Sequence, residues 1–386
     1  MSSGAKRVTG WVRETTPGTT PTGVPWNLLK RSSFGLGPTQ NTNDNDEIGG
    51  SRMAQGTSRG TVDVGGDVET RFRWGQHDDF LASCFGAEWI SNVLTMGNDR
   101  IAFSVASYDS DVGIASIARG CQVSVFQLDV PNDGDITATA TFAGLDWESK
   151  ADDTSYFTDP VDNSGELRYG FKEVANIMLN GVSGGDGFCI DSFNIQFDNN
   201  VQTQRCIGTG SAFAGANIPT TFTPSGSITL SWAKAAWEVY EKQFSGATVP
   251  FSFSLVNDEG TYTFDFPKVQ VSGDWPDGGN TDIIQVQLDI TAADVSPTIT
   301  RAATIPATGI AVAPTTASVD VGDTTALTAT LTPDGATDAV TWESSNPAVA
   351  TVSATGVVTG DAAGTATITA KARTFTATST ITVTEP

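Results

Sequence analysis

The chain is short of the residues that most enzyme chemistry needs. Among 386 residues there is one histidine, His77, so a triad that requires an imidazole has a single candidate. His77 stands just ahead of a predicted helix, beside Asp78 and Asp79. It reads as a helix-start or surface histidine, with the two acids serving the helix dipole rather than a proton relay. The four cysteines (Cys84, Cys121, Cys189 and Cys206) are scattered without CxxC spacing, which argues against zinc and redox signatures and predicts buried free thiols of a reducing cytoplasm. There is no HExxH or Walker sequence. Gly184-Gly185-Asp186-Gly187 is followed by no lysine and opens no helix, so it is not a phosphate loop. Asp44, Asp46 and Gly49 approach a calcium loop, but Ile48 occupies the fifth-position ligand site and position 12 is not acidic. Carboxylates abound without one pair standing out. No catalytic, cofactor-binding or metal-ligating residue is assigned, no cofactor is called for, and the chain reads as not an enzyme.

Basic residues are scarce too. Lysine and arginine total 21 against 44 acids, for a net charge of −23. Gripping phosphate needs cations, so a nucleic-acid or anionic-lipid clamp is disfavoured, while a surface past which nucleic acid slides is not. Met1–Val12 carries Lys6 and Arg7 with no apolar stretch behind them, unlike a secretory signal. No run reaches the roughly 18 apolar residues of a spanning helix, so a soluble protein is expected.

What the chain does have is a repeated strand, turn and helix. Gly60-Thr61-Val62-Asp63-Val64 alternates as a half-buried strand does, and Asp78–Phe85 follows with Phe80, Leu81, Cys84 and Phe85 on one helical face and Gly86 as a stop. Gly226-Ser227-Ile228-Thr229-Leu230 repeats the strand, and Val239, Tyr240, Gln243 and Phe244 repeat the helical face, ahead of Gly246. An offset of 159 relates Phe80 to Val239, Phe85 to Phe244, Ser33-Phe34 to Ser192-Phe193, Ile48-Gly49 to Ile207-Gly208, and Glu14 to Glu173. Ala102–Val105 matches Ser252–Leu255 at 150. Several matches at one offset point to an internal duplication.

Taken in order, residues 1–30 read as an extended arm, with Trp11 and Trp26 flanking the proline-stiffened Glu14–Pro21 and docking favoured onto a neighbouring subunit. Strands are expected at Arg100–Ala106, Cys121–Leu128 and Ile136–Ala143, the last two joined at Asn132-Asp133-Gly134. Asp146–Ser164 reads as the link between copies, and strands return at Thr261–Phe266, Lys268–Ser272 and Ile283–Ile290. Composition changes at Ser296-Pro297. From Arg301 to Pro386 there are 3 basic and 7 acidic residues, in a Thr/Val/Ala/Gly alternation of about seven short strands around Trp342. That pattern predicts an immunoglobulin-like sandwich without its disulfide. The fold class is therefore mainly β: two tandem β-sandwich or barrel units with one helix each (31–150 and 151–298, after the 1–30 arm), then a sandwich at 305–386.

The C-terminal segments stand in a specific order: Ile310–Pro314, Val319–Gly322, Val340–Pro347, Val349–Val352, Gly356–Gly360 and Gly364–Ala370. They resemble the group 2 bacterial Ig-like domain, in which Trp342 would plug the sandwich, Asn346-Pro347 would turn, and Gly364 would break a strand start. The rest resembles a tail tube protein of a long-tailed, non-contractile (siphovirus-type) phage, through the Glu14–Pro21 segment with Trp26, Ile48–Gly56, and Gly60–Gly66 followed by Asp78–Phe85. The resemblance implies a virion tail protein made in the cytoplasm of a bacterial host. Its subunits would self-associate into rings that stack into a hollow tube, with tape measure and tail tip or terminator proteins as partners. DNA would pass through the lumen without specific binding, past a strongly acidic protein. The loops Gln40–Arg59 and Trp147–Asp162 would meet the next ring. Two tube units per chain imply three chains per ring, with six chains as the alternative. The Ig-like domain would decorate the outside and could touch host glycans. The competing reading is an Ig-bearing surface adhesin or capsid decoration protein that binds host glycans.

Overall fold

The computed structural model describes residues 6–44, 56–151, 155–207, 211–278 and 283–385. It divides into two compact units, residues 1–257 with 261–302, and 258–260 with 303–386. The first unit contains the same order of elements twice. In the first half these are β1 (Arg7–Glu14), β2 (Gly37–Asp44), β3 (Thr57–Arg71), α1 (Asp78–Phe85), β4 (Ala102–Asp109), β5 (Ile114–Val130), β6 (Thr137–Gly144) and β7 (Asp146–Ala151). In the second they are β8 (Val174–Leu179), β9 (Ile190–Asp198), β10 (Thr223–Ser231), α2 (Lys234–Tyr240) with α3 (Lys242–Ser245), β11 (Val249–Val256), β12 (Gly260–Ser272), β13 (Gln285–Ala292) and β14 (Thr298–Ala303).

The pairings repeat as well as the order. In the first half β1 pairs with β4, β4 with β5, β5 with β7 and β6, β6 with β3, and β3 with β2. In the second half every partner number rises by seven. Each half is a two-layer sandwich whose longest strand (β5 or β12) passes from one layer to the other. The crossing point is a bulge in each: between Phe103 and Val105 of β4 opposite Cys121 and Ala118, and between Val249 and Phe251 of β11 opposite Val269 and Phe266. A bulge bends and twists a strand, which is what moving between layers requires. At the first bulge Gly120 (φ +63) donates its N–H at 3.0 Å to the buried Glu14 carboxylate, which also accepts from Gly18 N–H (2.6 Å) and Ser104 Oγ (2.6 Å). At the second, Pro267 sits inside the strand where its missing donor is tolerated.

Register refines the duplication. Ser33-Phe34 pairs with Glu69 and Val68, and Ser192-Phe193 with Thr229 and Ile228, so the two segments, 159 apart, hold equivalent places against partner strands that are 160 apart. Gly66 lies opposite Phe142 and Gly226 opposite Ile290, so the counterpart of Gly226–Leu230 is Gly66–Thr70, not Gly60–Val64. At both glycines a Cβ would lie 2.2 Å from a carbonyl oxygen of the neighbouring segment, Gly35 in one half and Asn194 in the other. The bulges likewise equate Phe103 with Val249, an offset of 146 instead of 150. Glu14 ends β1 whereas Glu173 precedes β8, so these two are not equivalent. Ile48-Gly49 and Gly208 lie outside the described residues, as does Ile48–Gly56 apart from Gly56.

Residues 7–14 are not an arm. β1 pairs with β4 along its whole length, and Trp11, Val12 and Trp26 are buried in this chain's own core, Trp11 5.0 Å from Phe80 and Trp26 5.4 Å from Phe157. Their apolar surface has nothing left for a neighbour. Gln40–Asp44 and Thr57–Arg59 are hairpin rather than loop, and Trp147–Ala151 belongs to β7. The two strands expected at 261–266 and 268–272 are one bulged strand. Cys84 and Cys121 are buried free thiols, as expected, their pKa values pushed well above the ordinary range by burial, whereas Cys189 and Cys206 are exposed.

The second compact unit is a sandwich of β15 (Gly309–Ala313), β16 (Thr316–Asp320), β17 (Thr324–Ala326), β18 (Thr328–Thr332), β19 (Thr341–Ser344), β20 (Ala350–Val352), β21 (Val357–Gly360), β22 (Gly364–Ala372) and β23 (Phe375–Thr384). Val312, Val319, Leu327, Val358, Ile368 and Ile381 form its core, with Trp342 half-buried against it. Val349 N–H closes the Asn346-Pro347 turn on the Asn346 carbonyl at 3.0 Å, and β22 starts at Gly364.

Candidate functional site

One layer runs unbroken through both halves of the first unit. In spatial order it is β2, β3, β6 and the second part of β5, then β9, β10, β13 and the end of β12. The joint is the β5–β9 pair, in which Val125, Phe126, Gln127 and Leu128 face Asp198, Phe197, Gln196 and Ile195. Side chains alternate along each strand, so the layer has two contrasting faces. One is apolar: Val68, Phe142, Leu128, Ile195, Ile228, Leu288 and Val271 point into the core. The other is polar and at least partly exposed.

Cross-strand rows carry that polarity across the joint. Arg71, Thr137, Asp129, Asn194, Ser227, Asp289 and Ser272 stand side by side, as do Glu69, Thr139, Gln127, Gln196, Ser225, Thr291 and Gln270. A shorter row is Asp67, Thr141, Val125 and Asp198. Within these rows the carboxylates of Asp67, Glu69, Asp129, Asp198 and Asp289 meet a single cation, Arg71. Hydroxyls and amides support them instead: Thr141 Oγ1 donates to Asp67 at 2.6 Å, Gln127 Nε2 to Asp129 at 2.8 Å and Ser32 Oγ to Glu69 at 2.7 Å. Neutral donors leave the negative charge in place, so the face carries a net negative charge on both sides of the joint. No single residue of it was identifiable beforehand, because polar alternation marks a face but not which strands adjoin.

The apolar side of the joint is built by α1. Its residues Phe80–Phe85 are all buried. Phe85 packs against Phe197 and Phe222 at 5.0 and 4.9 Å, Cys84 Sγ donates to the Phe197 carbonyl at 3.2 Å, and Asn199 Nδ2 donates to the Ser83 carbonyl at 3.4 Å. At the helix start Asp78 is half-buried, its pKa raised by desolvation, and it is held by Tyr262 Oη (2.6 Å) and by the Arg301 guanidinium, which lies 4.6 Å over Trp89. His77 caps the helix start but is not on the surface. It is buried between Phe72 and Phe126 with Nε2 2.7 Å from Thr70 Oγ1, and burial lowers its pKa to about 3. A neutral imidazole enclosed between two aromatic rings and 1% exposed is a packing group. Among the described residues no group of three or more metal-ligating side chains comes together.

A family model described as phage tail tube protein matches residues 4–292, and one described as bacterial Ig-like domain (group 2) matches residues 306–383. An alpha-L-arabinofuranosidase of Bifidobacterium longum subsp. longum is 63% identical over 49 residues, 12% of this chain and 5% of that enzyme's length. A crystal structure of invasin, a bacterial integrin-binding protein, aligns over 73% of this chain and 76% of that one at 11% identity, with a TM-score of 0.15, too low to bear on the fold. Both matched families are structural, and the tail tube family assembles with other tail proteins into a tube in the virion tail. With its paired halves in one family match and its last sandwich in the other, the chain belongs to the phage tail tube protein family and carries a C-terminal group 2 bacterial Ig-like domain.

Proposed function

We propose that this chain is the major tail tube subunit, that three chains close a ring with pseudo-six-fold packing, and that stacked rings form the channel for genome passage. The observation that carries the reading is the eight-strand layer: it holds two copies of one four-strand set, ends in two edges that are unpaired among the described residues, and has a carboxylate-rich face. Turned inward, that face repels phosphate, so DNA slides without being trapped. Two tube units per chain, about 7–151 and 174–303, make three chains equivalent to six single-unit subunits. Synthesis takes place in the bacterial host's cytoplasm. The tape measure protein fills the lumen before ejection, and terminator and tip proteins cap the ends. The Ig-like domain sits on the outside, since a separate domain would obstruct the lumen, and there it can meet host glycans.

Electron microscopy of the concentrated protein tests this, with tail tips added as seeds. Rings or tubes are expected, and they should persist after truncation beyond Ala303. A cut near Ile299 would instead damage β14, where Ile299 is fully buried. Particles that stay single under all these conditions would favour a glycan-binding adhesin or capsid decoration protein.

A further inference from the structure

The joint in the middle of the chain has a counterpart at its two ends. β5 continues past its bulge to Val130 and there receives β9, whereas β12 stops at Ser272 and receives no strand on that edge among the described residues. Among the described residues β2, the counterpart of β9, pairs only with β3 and has no strand on its outer edge. Each open end has a cavity. One of about 590 Å³ is lined by Gln243, Ser272–Pro276 and neighbouring β13 residues. Another of about 460 Å³ is lined by Phe34–Pro38, Ile114, Trp147 and Ser149, among others. The equivalent places at the central joint are filled with protein: β9 and Phe222 lie on the first, and α1 with Asp78 on the second.

Side chains at the open end also look unfinished. Leu128, at the central joint, is fully buried, while its counterpart Trp275 is 63% exposed. Phe85 is buried by Phe197, while Phe244 in the last turn of α3 is 71% exposed. The N–H of Gly273 is held by Gln243 Oε1 at 3.2 Å, and Gln243 Nε2 is buried without a partner. Exposed aromatics next to an open strand edge are what a docking strand covers.

We propose that the β5–β9 joint is repeated between chains, with Leu36–Thr39 of one copy pairing antiparallel to Ser272–Trp275 of the next. This rests on the tube reading above and adds the edge, the register and a local change: residues 273–275 extend β12 on docking. Because Ser272 pairs with Asp289 as Val125 pairs with Thr141, the register follows from the central joint. Thr39 faces Ser272, Pro38 faces Gly273, Gly37 faces Asp274, and Leu36 faces Trp275. Trp275 then takes the buried place that Leu128 has in the chain. The carboxylate face continues across the new joint through Asp274, which takes the place of Gln127. Pro38 lacks an N–H and so keeps the waiting edge from pairing indiscriminately.

The test is a disulfide across the predicted pair. In a Cys189→Ser, Cys206→Ser background, Thr39→Cys with Ser272→Cys is oxidised after assembly. The in-chain control is Asp198→Cys with Val125→Cys, and the off-register control is Asn41→Cys with Ser272→Cys. Covalent species ending at a closed trimer are expected for the first pair and not for the off-register pair. Microscopy of the same samples separates two failures. Tubes without the Thr39–Ser272 link, or linked through Asn41, would overturn the register but keep the tube; absence of rings from the unmodified chain would overturn the tube reading itself. Hydrogen exchange on the unmodified chain gives a mutation-free readout. Amides of residues 36 and 273–275 should slow at least tenfold on assembly, and unchanged exchange in formed tubes would refute the joint.

Discussion

The two halves of the tube unit share one topology and differ in how much of it is finished. α1 is buried from Phe80 to Phe85 because the second half lies over it, whereas α2 and α3 bury Ala236, Val239 and Tyr240 but leave Trp237 and Phe244 at the surface. Eight residues before the capping glycine, the half-buried Asp78 is held by Tyr262 and Arg301, while among the described residues Glu238 has a loose contact with Lys234 at 3.8 Å. The same fold is thus complete on one side and waiting on the other. A duplicated chain tends to keep a buried surface at the internal joint and an exposed copy of it at the external one.

The comparison can be broken most strongly at the last-turn phenylalanines. Phe85→Ala should cost about 3–5 kcal/mol of stability, read by denaturant unfolding. Phe244→Ala should cost no more than about 0.5 kcal/mol in the single chain and yet impair ring formation. Equal stability losses would contradict the assigned environments. Next come the acids. Asp78→Ala strands the Arg301 guanidinium and should cost about 3 kcal/mol, whereas Glu238→Ala should be within about 0.5 kcal/mol of the parent.

A smaller effect concerns His77. The folded pKa of His77 is about 3 against an ordinary value of 6.5. Between those values the unfolded chain binds a proton that the folded chain does not. Stability should therefore fall as pH drops from 6.5 towards 3, by up to about 1.4 kcal/mol per pH unit from this group. His77→Gln should flatten the slope of melting temperature against pH across that window. An unchanged slope would mean that the imidazole is not the titrating group.

Much of this was legible in the sequence, and the misses have physical causes. Helix positions and their stops were readable because Gly86 and Gly246 take the left-handed conformation, φ 61 and 67, that a C-terminal cap requires. The Ser33-Phe34 and Ser192-Phe193 match held because those segments pair in the same register. The β3 and β10 match slipped by six residues, and the β4 and β11 match by four. Both slips are even, so they preserve the alternation on which the matching relied. The strand at Arg7–Glu14 is hard to read from sequence because Pro17 and Pro21 mark the turn that follows it and not the strand itself. In that strand Thr9 to Val12 are buried in succession, without alternation. The negative face stayed hidden because it is assembled from strands distant in sequence, such as Glu69, Gln127 and Gln196.

The most direct test of the account is the symmetry of the ring, from averaged end-on electron micrographs of the assembled full-length chain. Three chains per ring are predicted, giving three-fold averages with six near-equivalent lobes in the wall. A ring of six chains with true six-fold symmetry would contradict it, because the second half would then not take its turn as a tube unit.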